Sequence, residues 1–193
     1  MTARGAFWRT VANDLLRAPP PGVPAGSPPQ PLWPGGAALR GARYTPIGGG
    51  NALYLAPDAA TALAEVQAVL FGADGAPRPG PRHNPLLVFA CDVDLPAVVD
   101  LCDPAVQRAL ETSEAELRAP WLRAQERHRS AGGPLPPTQA LGCAADESGT
   151  ILALRYPSHR REGAENLVVF TDHLTALGGR VELHDPTRTL AQT

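Results

Sequence analysis

The order of elements predicts an α+β fold with a mixed or antiparallel sheet: short strands come first, helices gather in the middle, and three strands close the chain. Two further observations agree. The strict strand–helix alternation of a doubly wound parallel sheet is absent, and no internal repeat is present. At 193 residues, 44% of them hydrophobic, the chain is long enough for one domain with a substantial core. It is read here as a single domain over 1–193 with a proline-rich insertion at about 19–34.

In order along the chain, Ala6 to Leu16 hold alternating and then helical apolar positions. Pro19 to Pro34 is too rich in proline and glycine for regular structure and reads as a surface loop. A turn-rich piece, Arg43 to Gly50, leads into a short strand, Ala52 to Ala56. Asp58 can then cap a helix whose apolar stripe of Ala62, Leu63, Val66, Val69 and Leu70 runs through Phe71 and passes beside Glu65. Gly72 to Asn84 reads as a second loop. Pro85 to Leu95 is the strongest strand signal, and Val98 to Leu101 is a further one. Capping residues and spaced Leu, Ala and Trp place helices at about Pro104 to Thr112, Ser113 to Ser130 with a break at Pro120, and Thr138 to Glu147. The closing strands are Ile151 to Tyr156, Asn166 to Phe170 and Arg180 to Leu183.

Composition removes several function classes. All 17 basic residues are Arg and none is Lys, so Schiff-base and P-loop lysine chemistry is excluded, and any cation in a site is a guanidinium. A formal net charge of −2 argues against direct nucleic-acid binding, which needs a basic face to displace counterions. Cys91, Cys102 and Cys143 are widely spaced, odd in number and without a Cys-x-x-Cys pair, the pattern of buried small hydrophobes and not of a disulfide framework or zinc knuckle. No stretch approaches the roughly 20 apolar residues of a membrane span, and the N-terminus lacks a signal-peptide core, so a soluble cytoplasmic protein is expected.

Three familiar motifs fail. Gly48-Gly49-Gly50 lacks the Gly-Lys-Ser/Thr ending and precedes a strand, so it reads as a turn. His83, His128, His159, His173 and His184 never stand at metal-ligand spacing, and no metal site is expected. Ser158 sits in Tyr156-Pro157-Ser158-His159 and not in Gly-x-Ser-x-Gly; adjacent Ser and His in an extended segment point to opposite faces and make a poor catalytic pair.

What remains is a polar residue beside each apolar element: Arg9, Arg43, Tyr54, Glu65 and Ser158. Taken singly, Arg9 and Arg43 read as surface charges, Glu65 as a solvated helix residue and Tyr54 as a core aromatic. Their order changes the weighing. Trp8-Arg9 is followed by Gly41-Ala42-Arg43-Tyr44-Thr45-Pro46, then Ala52-Leu53-Tyr54-Leu55-Ala56 running into Thr61-Ala62-Leu63-Ala64-Glu65. Val93-Asp94-Leu95, Pro120-Trp121, Thr138-Gln139, Pro157-Ser158-x-Arg160 and Asn166-Leu167-Val168-Val169-Phe170 complete the series. Over nearly the whole chain it resembles the RES family, named for recurrent Arg, Glu and Ser. The chain departs from the usual Gly-Gly-Arg-Trp-Asn-Pro at the Arg43 turn, and the 19–34 insertion is longer than the family pattern.

The resemblance implies a split mixed sheet like that of ADP-ribosyltransferase toxins, and a toxin that degrades NAD⁺ by cleaving the nicotinamide–ribose bond, with phosphate or water as acceptor. NAD⁺ is then the substrate, phosphate a candidate co-substrate, and no further cofactor is implied. It implies Glu65, Arg43 and Ser158 as catalytic residues and Arg9, Arg43, Tyr44 and Tyr54 as NAD⁺-binding residues. The implied partners are an Xre-like helix-turn-helix antitoxin, which would carry any DNA contact, and a second copy of the chain in a homodimer. A protein ADP-ribosyltransferase and a non-catalytic binding module on the same fold stay open as alternatives.

Overall fold

The computed structural model describes residues 1–13, 30–81 and 84–185. Ten residues at the start form strand β1 (Ala3–Ala12), which pairs antiparallel along its whole length with β5 (Leu86–Leu95); β5 pairs in turn with β9 (Arg180–Leu183). A second sheet has the order β2 (Ala52–Leu55), β8 (Glu165–Phe170), β7 (Ala153–Pro157), β6 (Val98–Asp100). Its β6–β7 pair is parallel and the others antiparallel, so the α+β architecture with a split, mixed sheet is the one expected. The sheets touch where Trp8 and Ala56 exchange backbone hydrogen bonds of 2.8 Å each.

Period-two alternation divides the second sheet into two faces. Leu53, Leu55, Ala153, Leu167 and Val169 bury against Cys91, Val93 and Leu95 of β5 and form one core between the sheets. Ala52, Leu154, Tyr156, Val168 and Phe170 bury on the opposite face against Tyr44, Leu101, Leu117 and Ala145. Tyr54, Ser158 and Asn166 continue the register of that second face, and this is how the sheet comes to present them together.

The helices are α1 (Gly36–Arg40), α2 (Ala59–Glu65), α3 (Pro104–Ala109), α4 (Glu114–Arg118), α5 (Trp121–Ala131) and α6 (Pro137–Glu147). Side chains of Asp58, Asp103 and Ser113 cap α2, α3 and α4 by accepting from backbone N–H groups within their first turns. Pro120 separates α4 from α5, where the sequence places a break.

Two expectations are corrected. The helix begun at Asp58 stops at Glu65 and does not reach Phe71: Gln67 takes φ 61°, and Val69–Phe71 becomes β3. β3 pairs with β4 (Pro77–Pro79) across Asp74-Gly75, with Gly75 at φ 71°, so the expected loop over 72–84 contains half of a hairpin. The β-branched and aromatic run Val-Leu-Phe suits either period, and the hairpin turn decides it. Helix α1 and a short 3₁₀ turn, Thr171–His173, have no counterpart in the sequence reading. Most of the proline-rich loop, the residues around Leu16 and His83 lie outside the described residues. Among the described residues no helix is long and apolar enough to cross a membrane.

Candidate active site

The turn carrying Arg43 is built by close approach. Gly41 (φ 76°) has no room for a β-carbon beside the Gln125 amide, and Gly142 of α6 has none against the Tyr44 carbonyl, so helix and turn pack backbone to backbone. Gln139, fully buried on α6, donates to the Ala42 carbonyl at 2.8 Å and to Gln125 Oε1 at 2.7 Å. Ala42 and Thr45 close the turn with reciprocal backbone hydrogen bonds of 2.7 and 3.2 Å. Arg43 then reaches across to α4, where its Nη1 donates to the carbonyls of Leu117 (2.7 Å) and Ala119 (2.9 Å). One terminal nitrogen is thereby spent on the helix end, and the rest of the fork remains for a ligand.

Tyr54 braces the same turn from the sheet. Its hydroxyl accepts from the Tyr44 N–H at 3.0 Å and shares a hydrogen bond of 2.9 Å with Thr45 Oγ1. Burial pushes its phenol well above the ordinary tyrosine range, so it is neutral. With the hydroxyl engaged, the ring is what Tyr54 offers to the cleft.

Glu65 ends α2, at the helix terminus least favourable to an anion. Two donors hold it there. Ser158 Oγ donates to Glu65 Oε1 at 2.6 Å and Asn166 Nδ2 donates to the same oxygen at 2.7 Å. Ser158 Oγ also accepts from the backbone N–H groups of Arg160 (3.1 Å) and Arg161 (3.0 Å). Its single proton is therefore committed to Glu65, and this fully buried hydroxyl is an orienting group and not a nucleophile. The Ser158 loop is tied back to α2 by Arg161, whose Nη1 donates to Asp58 Oδ2 (2.5 Å) and Thr61 Oγ1 (2.7 Å), with the guanidinium 5.0 Å from the Phe71 ring centroid.

These elements enclose a cleft of about 270 Å³ whose walls include Arg43, Tyr54, Glu65, Tyr156 and Asn166. Trp8 and Thr10 enter it from β1, Trp121 and Leu122 from the start of α5, and His159 and Arg160 from the loop after Ser158. Burial first, then the nearby Arg43 and Arg160 charges, lower the His159 pKa, so its imidazole is neutral at pH 7. A larger hollow, of about 560 Å³, shares no residue with the cleft; its Arg4, Arg155 and Arg161 are each paired with a carboxylate. Among the described residues no cluster of three His, Cys, Asp or Glu is arranged to hold a metal.

Of the residues singled out from sequence, Arg43, Tyr54, Glu65 and Ser158 come together here. Arg9 and Tyr44 do not line the cleft. Strand alternation sends Trp8 and Thr10 inward and Arg9 to the other side, where its Nη2 donates to the Trp33 carbonyl at 3.0 Å and burial pulls its pKa down to about 10. Tyr44 is buried beneath the turn with its ring centroid 4.7 Å from that of Tyr156. The sequence reading missed Asn166 as the second donor to Glu65, and His159, Arg160 and Trp8 as cleft residues. The strand signal at 151–156 held the clue, since Tyr156, Ser158 and the paired Asn166 share one face.

A family model, RES domain, matches residues 15–191. No curated protein matches the sequence. Among solved structures, a chain of the crystal structure of the M. tuberculosis MbcT–MbcA toxin–antitoxin complex is similar in fold, with a TM-score of 0.56 and 18% identity over 96% of this chain and 84% of that one.

Proposed function

The chain belongs to the RES-domain family, and from that premise we propose that it is the toxin of a toxin–antitoxin pair and acts by breaking the bond between nicotinamide and ribose in NAD⁺. The observation that carries the reading is the Glu65 carboxylate, pinned through one oxygen by Ser158 and Asn166, in a cleft that it shares with Arg43 and the Tyr54 ring. Departure of neutral nicotinamide leaves positive charge on the ribose, and the reaction needs a fixed anion beside that sugar more than it needs a strong acid. Glu65 supplies it. Because both donors bind Oε1, the other oxygen is the one that faces the sugar, and it arrives preorganised. Tyr54 lies flat against the nicotinamide, and Arg43 meets the phosphates with the unspent part of its guanidinium.

Two acceptors balance the reaction: water gives ADP-ribose, nicotinamide and a proton, while phosphate gives the 1-phosphate of ADP-ribose and nicotinamide. Such an activity harms the cell that makes it, and a similar fold occurs in a toxin–antitoxin complex. An antitoxin, of the Xre-like helix-turn-helix kind the resemblance implies, is accordingly proposed as the partner. The test is to incubate purified protein with NAD⁺, with and without inorganic phosphate, and identify the products by mass spectrometry. Free nicotinamide in step with ADP-ribose or its phosphate is expected. Intact NAD⁺ overturns the proposal, and ADP-ribose found only on protein side chains replaces it with a transferase.

A further inference from the structure

We propose that Arg160 is the cation that grips the pyrophosphate of the substrate at the mouth of the cleft, and that it makes the site prefer a dinucleotide to a nicotinamide nucleoside without phosphate. The inference rests on the NAD⁺ reading above. It begins from charge. The cleft wall carries three ionised side chains, Arg43, Glu65 and Arg160, with His159 neutral beside them. NAD⁺ carries one positive charge on nicotinamide and two negative charges on its pyrophosphate, so one carboxylate and two guanidinium groups are its complement. Arg9, the second arginine the sequence puts forward, is held on the Trp33 carbonyl outside the cleft.

Arg160 differs from its neighbours in what it has to offer. Arg43 has given Nη1 to two carbonyls, and Arg161 is locked between Asp58, Thr61 and the Phe71 ring. No hydrogen bond or ion pair holds the Arg160 guanidinium among the described residues, although its backbone is fixed: its N–H donates to Ser158 Oγ at 3.1 Å. That same oxygen donates to Glu65. Arg160 is thus anchored at most roughly 7 Å along the chain from Ser158, with a long side chain to reach outward. In NAD⁺ the first phosphate stands one ribose away from the bond that breaks, which is the same relation. An exposed arginine is ordinarily only a solvated charge; here a fixed backbone, an unengaged fork and a place on the wall of the cleft that also holds Glu65 give it a ligand to hold.

The experiment compares wild type with Arg160→Gln and Arg160→Lys, measuring ADP-ribose binding by calorimetry and kcat/KM for NAD⁺ and for nicotinamide riboside. Arg160→Gln is expected to weaken ADP-ribose binding ten- to hundredfold, the size of one charge-assisted contact, and to lower the ratio of kcat/KM for NAD⁺ to that for nicotinamide riboside by a similar factor. Lysine restores part of both, since a single ammonium lacks the fork. Thermal denaturation unchanged from wild type checks that the fold persists. ADP-ribose binding by Arg160→Gln at wild-type strength overturns the assignment while leaving NAD⁺ cleavage standing. Arg160-dependent ADP-ribose binding by a wild type that cleaves no NAD⁺ supports the grip and overturns the reaction. A wild type that binds no ADP-ribose overturns the grip, and the reaction is then judged by NAD⁺ cleavage alone.

Discussion

Replacing Glu65 with glutamine separates the charge of the site from its architecture. Both donors to Glu65 converge on Oε1, from Ser158 at 2.6 Å and Asn166 at 2.7 Å. A glutamine whose carbonyl oxygen takes that position keeps both hydrogen bonds, and its amide nitrogen takes the place of the oxygen proposed to face the sugar. The fold loses only the charge assistance in two contacts, about 1 to 2 kcal/mol in total. Relief of an anion from the end of α2 offsets part of that. For a chain of this length each kcal/mol moves the melting temperature by roughly 2 to 4 °C, so the loss stays below about 8 °C. The chemical step loses its fixed anion, which raises the barrier by about 2.7 to 4 kcal/mol and lowers kcat by roughly 10² to 10³, with KM for NAD⁺ little changed. Nicotinamide release followed by chromatography reads the rate, and calorimetry reads the stability. Wild-type turnover in Glu65→Gln refutes the role of the carboxylate. Glu65→Ala supplies the contrast: it strands the buried Ser158 hydroxyl and Asn166 amide, and is expected to cost about 1 to 3 kcal/mol of stability for each, with no larger loss of turnover.

Ser158→Ala removes a donor to Glu65 and the acceptor of two backbone N–H groups; we expect about 2 to 4 kcal/mol lost in denaturant titration and kcat lowered roughly ten- to hundredfold, and an unchanged kcat would remove Ser158 from the site's support. Gly142→Ala drives a β-carbon into the Tyr44 carbonyl, with an expected cost of at least about 2 kcal/mol; a melting temperature equal to wild type contradicts the packing described here. Because the folded-state pKa of His159 is depressed, chiefly by burial and then by Arg43 and Arg160, the unfolded chain binds the proton more readily. Its contribution is fully present above about pH 6.5 and is lost as pH falls below that value, so the difference in unfolding midpoint between pH 8 and pH 5 should shrink in His159→Gln. Burial pushes the Cys91 thiol up to about 11 and the Cys102 thiol to about 12, with Cys143 raised as well, so native protein should resist alkylation at pH 7.5 and react only once unfolded. Rapid stoichiometric labelling of the native protein would contradict this.

Much of the fold was legible because its signals are local. Leu86–Leu95 announces itself by composition, Pro120 marks the α4–α5 break, and Asp58 caps α2 as its side-chain chemistry requires. The fate of Val66 to Phe71 was not legible, since the same residues satisfy a helical stripe and a strand, and the Asp74-Gly75 turn that settles the matter lies downstream. The site was legible where the motif names a side chain that strand register also points inward, as with Tyr54 and Ser158. Arg9 stands outside the cleft for the same physical reason: on an extended strand the neighbours of an inward Trp8 and Thr10 must face away. Asn166 and Gln139 stand in the motif series without a role, because a buried amide carries no sequence signal of what it bonds and only the tertiary arrangement gives it partners.

The two groups that converge on Glu65 come from far along the chain: Ser158 is 93 residues and Asn166 is 101 residues beyond it. During synthesis from the N-terminus, an emerging polypeptide therefore exposes the acidic side chain long before either residue that aims it. A truncated product ending before β7 lacks both residues that orient that group. Under the proposed activity, the order of translation delays the assembled site until the last two strands of the second sheet have been made.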